Sequence, residues 1–151
     1  MKYLFFSVLI CLGCISKDKE EKYKITSREE KILCEAIGKI PDTTQLRFQV
    51  LFDQWSKHWK NGILIFSSNT YDVMKMKEYP ELVAMGDTII PLVIEKLLYR
   101  SNFWSVHLYN ALQKDVRLKG HNDLDVHGGV HKTIQLWLNN SSQKKLQAFD
   151  L

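Results

Sequence analysis

"YPELVAMGDTIIPLVIEKLL", residues 79–98, is the stretch on which the fold reading turns. Pro80 suits the first turn of a helix, where its missing N–H has no intrahelical acceptor to lose. Leu82, Val83 and Met85 then supply an apolar face, and Gly86 can take the left-handed backbone that ends a helix. Asp87 or Thr88 can cap a following helix, Pro91 falls in its first turn, and Ile90, Val93, Ile94, Leu97 and Leu98 form its stripe. Two short helices joined at a glycine cannot bury such faces alone, so the rest of the chain must supply partners.

Those partners are legible on both sides. Upstream, Ser27 with Glu30 three residues on has the spacing of a capping box, and Ile32, Leu33, Ala36, Ile37 and Ile40 follow before Pro41 stops the run. Asp42-Thr43-Thr44 offers caps for a second helix. Phe48, Leu51, Phe52, Trp55 and Trp59 recur along it at three- and four-residue steps, and Asn61-Gly62 ends it. "ILIF" (63–66) is predicted as a helical turn or an extended connector. Ser67-Ser68-Asn69 can cap a short segment running to about Lys77. Downstream, Asn102 is placed to cap a helix bearing Phe103, Trp104, Val106, Leu108, Tyr109 and Leu112. In "GGVHKTIQLWLNN" (128–140), Val130, Ile134, Trp137 and Leu138 share one stripe. The expected fold is all-α, a small bundle of five to seven helices without a sheet.

An apolar-glycine stop, a tight turn and an apolar-proline-apolar start resemble a HEAT-type helical repeat, which implies HEAT-like helical hairpins here. From Ser67-Ser68 through residues 79–98 to "FWSVHLYNALQ", the chain also resembles a widespread uncharacterised family of bacterial proteins. That likeness implies a fold and no activity.

The N-terminus carries a different signal. Lys2 is followed by Tyr3 to Gly13, eleven residues without charge. As a helix they would span roughly 16 Å, about half of a bilayer's hydrocarbon core, the size of a secretory signal's apolar region. Leu12-Gly13-Cys14 resembles the lipobox of bacterial lipoproteins, which implies cleavage before Cys14, acylation of its sulfur and anchorage through two or three acyl chains. Ile15 after that cysteine is similar to the sorting pattern of outer-membrane lipoproteins. Lys19-Glu20-Glu21 resembles the lysine-acidic-acidic export signal of surface lipoproteins. The expected organisation is a signal peptide at 1–13, a lipidated flexible tether at 14–25, an all-helical domain at 26–140 and a polar tail at 141–151. Localisation is then the cell envelope, at the outer membrane and facing the periplasm or the surface.

Composition narrows the function classes. The 151 residues are 45% hydrophobic and 11% aromatic, enough for a proper core. Net charge is +4; dropping Lys2 from the 21 basic residues leaves about +3 against 17 acidic ones. That excess, unclustered, excludes a nucleic-acid footprint. With Cys11 removed and Cys14 acylated, no intramolecular disulfide can form. Cys34, inside an apolar helical pattern, is expected to be a buried inert thiol.

One stretch could carry chemistry: "GHNDLDVHGGVH", residues 120–131. His127 and His131 stand four apart, on one helix face, as zinc ligands often do. His121, Asp123 and Asp125 could complete a metal set or orient an imidazole. The alternative is a polar loop with a glycine hinge entering the last helix, since Gly128-Gly129 opposes a rigid ligand pair. Trp104 and Tyr109 are candidates for partner contact, although Phe103 and Leu108 compete with them for the interior. No nucleophile elbow or phosphate loop occurs, no close pair of acidic residues suggests glycoside hydrolysis, and no cofactor is implied. The leading expectation is a non-enzymatic, lipid-anchored helical module of the bacterial envelope that binds another protein, with an immunity, inhibitor or envelope-accessory role. The alternative is a metal-binding protein or metal-dependent hydrolase using the histidine-rich stretch.

Overall fold

A computed structural model of the chain describes residues 20–120 and 125–149; the apolar N-terminal run, Cys14, His121 and Asp123 lie outside these described residues. Within them are six α-helices: α1 (Ser27–Ile37), α2 (Asp42–Lys60), α3 (Glu78–Ala84), α4 (Ile90–Leu97), α5 (Val106–Leu112) and α6 (Val126–Phe149). Short 3-10 segments at Thr70–Lys75, Asp87–Ile89, Arg100–Ser105 and Val116–Leu118 tighten the connections. Lys22 and Tyr99 form an isolated antiparallel bridge, and no strand is present among the described residues. The protein is an all-α, small helical bundle.

The decisive stretch lies at the centre. In α4, Ile90, Leu92, Val93, Ile94 and Leu97 are all buried, so the helix is apolar around most of its circumference and sits inside the bundle. It packs on α1, α5, α6 and the 3-10 segment Arg100–Ser105, whereas α3 lies on α2 and α5. Gly86 has a φ of 81°, in the left-handed region expected of the stop after α3. The two helices it joins therefore find their main partners elsewhere in the bundle. Helices of seven or eight residues are unstable alone, and each buried Leu or Ile contributes about 1.5–3 kcal/mol once packed.

α2 contributes the aromatic half of the core. Phe48, Phe52, Trp55 and Trp59 form a continuous ring cluster, with Trp55 and Trp59 edge-on at 4.8 Å. Both indole N–H groups are satisfied, donating to the carbonyls of Val73 (2.8 Å) and Ser101 (3.1 Å). The Lys96 ammonium sits over the Phe52 ring, 5.8 Å from its centroid, and donates to Gln49 Oε1 at 2.6 Å.

Several boundaries differ from expectation for local reasons. The capping box is Thr26 with Glu29, one residue before the predicted pair: Thr26 Oγ1 accepts from Glu29 N (3.2 Å) and Glu29 Oε2 accepts from Thr26 N (2.7 Å). Both pairs have the required spacing, and the seating of Ile25 against the core favours the earlier one. Pro41 precedes α2 without a side-chain cap, so Asp42 acts through its charge in the first turn. Asn102 does not cap α5. It is buried at a kink and donates through Nδ2 to the Lys96 carbonyl (3.1 Å), closing the end of α4 instead.

Cys34 is exposed, one position past the buried Leu33, which corrects the expectation of a buried thiol. Residues 141–149, expected as a polar tail, continue α6 and meet α1 through Lys145–Glu35 (2.5 Å) and Arg28–Ser142 (3.4 Å). "ILIF" is neither helix nor strand but a hydrogen-bonded turn folded back on α2, with Leu64 N donating to His58 O at 2.9 Å. Gly62 makes this possible, because a Cβ there would lie 2.8 Å from His58 Cα.

Candidate functional site

Residues 20–25, expected to be a free tether, are seated on the body. The sequence Lys22-Tyr23-Lys24-Ile25 alternates, which in an extended segment turns Tyr23 and Ile25 to one side and the lysines to the other. Tyr23 N donates to Leu98 O (2.8 Å) and Arg100 N to Glu21 O (2.9 Å), pairing this arm with the chain just after α4. The Glu21 carboxylate meets Arg100 at 3.1 Å, and the Arg100 guanidinium covers the Tyr23 ring at 5.2 Å.

Tyr23 is the only buried residue of the arm, and it lands on the histidines of α6. Its ring stacks on His131 with centroids 5.4 Å apart and planes within 4°. Its hydroxyl is 3.0 Å from His127 Nδ1 and 3.1 Å from the His127 carbonyl. A phenol has one proton and the carbonyl can only accept, so the hydroxyl donates to the carbonyl and His127 Nδ1–H donates to the hydroxyl oxygen. Burial, above all, raises the Tyr23 hydroxyl above its ordinary value of 10.0, with Asp125 and Glu21 adding to the rise and Arg100 opposing it. The group stays a neutral phenol at physiological pH and serves as a hydrogen-bonding peg.

The metal-like spacing thus places His127 and His131 on one face, as predicted, but the Tyr23 ring lies against both imidazoles. Asp125 is at the start of α6, accepting from His127 N at 3.1 Å, while Gly129 N donates to its carbonyl at 2.9 Å. Gly128 leaves room for that carboxylate, since a Cβ there would come within 2.7 Å of Asp125 Oδ2. No group of three or more His, Cys, Asp or Glu side chains among the described residues is arranged to hold a metal ion.

Trp104 and Tyr109 are not available to a partner, which corrects that expectation. Trp104 is buried and stacks on Trp59 at 6.5 Å, and Tyr109 is fully enclosed with its hydroxyl donating to Leu118 O at 2.7 Å. Trp104 lies in the 3-10 segment Arg100–Ser105 and Tyr109 in α5, and both rings turn inward. His58 Nε2 lies 3.0 Å from the buried Glu78 carboxylate, tying α2 to α3. His107 is buried beside Tyr71, and loss of solvation lowers its pKa below 6.5.

Sequence reasoning missed two features. Tyr23 escaped notice because four alternating residues are too few to outweigh a charged setting. The outward apolar positions were missed because their helical and turn geometry decides which side they face: Leu46 and Val50 on α2, and Ile63, Ile65 and Phe66 in the turn beyond it. Between α1 and α6 an open groove of about 240 Å³ is lined by Arg28, Lys31, Ile32, Ser142, Lys145 and Leu146.

The fold and the latch define a class, a small all-α bundle whose N-terminal arm is pegged to its last helix. Compared with known protein families, curated proteins and solved structures, the chain matches none significantly. No helix among the described residues is long and apolar enough to cross a membrane.

Proposed function

We propose that the protein is a lipid-anchored helical interaction module of the bacterial cell envelope, held at the outer membrane by acyl chains on Cys14 and facing the periplasm or the surface. Its helical bundle serves as a scaffold for a protein partner, in the manner of an immunity or accessory protein rather than an enzyme. The observation that carries the binding part is on α2: Leu46 and Val50, one helical turn apart, are 67% and 49% exposed on the face opposite the aromatic core. The arm supports the anchoring part, because it ties the body close to residue 14 instead of leaving it on a long leash.

Two measurements test this. Intact mass of protein from its native host should correspond to cleavage before Cys14 with acyl chains attached; an unprocessed, unmodified N-terminus would refute the anchor. Detergent-solubilised native protein should retain a stoichiometric partner that the Leu46→Glu, Val50→Glu double variant loses. A chain that stays monomeric and partnerless at micromolar concentration rules out the binding role.

A further inference from the structure

The turn beyond α2 spends specific local structure to show apolar side chains to water. Leu64 plugs into the core, Gly62 passes against the end of α2, and backbone bonds from Leu64 N to His58 O (2.9 Å) and Ser67 N to Leu64 O (3.0 Å) hold the shape. The flanking residues Ile63, Ile65 and Phe66 are then 75%, 52% and 95% exposed. Three large apolar side chains on one rigid turn are a costly arrangement in water unless something covers them.

The position of the arm says what covers them. Glu20 pairs with Lys60 at 3.6 Å and with the Ser101 hydroxyl, so the chain meets the body beside the last turn of α2. Lys60 is only three residues before Ile63, about 10 Å of chain at most. Five residues, 15 to 19, separate Cys14 from Glu20, and the six residue steps fully extended reach about 20 Å. An acylated Cys14 therefore holds the Lys60 end of the bundle within that distance of the bilayer surface. Lys57 and Lys60, basic and exposed at the root of the turn, suit a headgroup layer.

We infer that Ile63, Ile65 and Phe66 form a membrane-docking turn that enters the lipid interface beside the acyl anchor and fixes the orientation of the bundle on the bilayer. The inference rests on the acyl anchor proposed above. With the anchor supplying residence, the turn need only supply orientation, so three side chains suffice where an independent anchor would need far more apolar area. The opposite end of the bundle, and the outer face of α2, are left for the partner.

The test uses the acylated full chain in vesicles whose lipids carry bromine at mid-depth of the acyl chains. Phe66→Trp reports on the turn, and Leu46→Trp, on the exposed face of α2, is the control; both sites are exposed, so folding is retained. Docking by about 5–10 Å into the interface should quench the added F66W emission about twofold and leave the added L46W emission unchanged. Acylated protein that floats with the vesicles but shows no extra quenching in F66W overturns the turn and leaves the anchor standing. Shielding of the F66W indole that appears without lipid and grows with protein concentration also overturns it, because a second copy is then the occupant. Protein without acyl mass on Cys14 that fails to float overturns the anchor and the docking with it, a readout independent of fluorescence.

Discussion

Two ring clusters occupy opposite ends of the scale from core to surface. On α2, Phe48, Phe52, Trp55 and Trp59 repeat with the helical period and are enclosed, and the two indole N–H groups donate to fixed carbonyls. At the start of α6, Tyr23, His127 and His131 come from segments a hundred residues apart, and only Tyr23 is buried. The first cluster is the fold's own interior. The second is a joint, in which one ring from a charged arm locks onto two exposed imidazoles. Periodicity therefore marks where stability resides, and a single non-periodic aromatic marks where two separated segments are fastened.

The sharpest way to break this contrast is Trp55→Ala. Emptying a fully enclosed indole site and removing its hydrogen bond to the Val73 carbonyl should cost about 3–5 kcal/mol, read as a lower urea midpoint with an unchanged slope. Tyr23→Ala should cost less, about 1–3 kcal/mol, and act locally. Hydrogen exchange should speed up at the Tyr23 and Arg100 amides while the α2 amides keep their protection. If the α2 amides lose protection equally, the arm is part of the core and the contrast collapses. Tyr23→Phe keeps the stack on His131 and removes only the peg, for about 1 kcal/mol.

Histidines sharpen the comparison through pH. Burial holds His107 below its ordinary 6.5. Below that pH the unfolded chain binds a proton the folded chain refuses, so stability is fully present above about 6.5 and is lost as pH falls toward the depressed folded value. Melting temperature should therefore drop on acidification through that window, and His107→Gln should remove part of the drop; an identical pH slope in the variant would assign the effect elsewhere. The smallest expected effect is at Gly128→Ala. A helical alanine gains about 0.5–1 kcal/mol over glycine, while displacing the Asp125 carboxylate forfeits a cap of similar worth. The melting temperature should scarcely move, and a gain of several degrees would mean that the cap contributes little.

Much of the fold was legible in the residues. The 79–98 stretch, the α2 ring series and the Val130–Leu138 stripe each announced their inward faces through a 3.6-residue period, and all the positions named for α4 and α6 are buried. Caps were less legible because Thr26/Glu29 and Ser27/Glu30 satisfy one rule equally, and local sequence cannot rank them. Of the histidine-rich stretch, the shared face of His127 and His131 followed from spacing, but the ring laid against it did not.

By itself the sequence determined the helical class, the apolar faces and the stop at Gly86, since these depend on residues within one or two turns of each other. Tertiary structure alone decided that Tyr23 fastens the arm to α6, that Trp104 and Tyr109 turn inward, and that Ile63, Ile65 and Phe66 turn outward. Each of those outcomes depends on which distant surface reaches a side chain first. No local period encodes that competition.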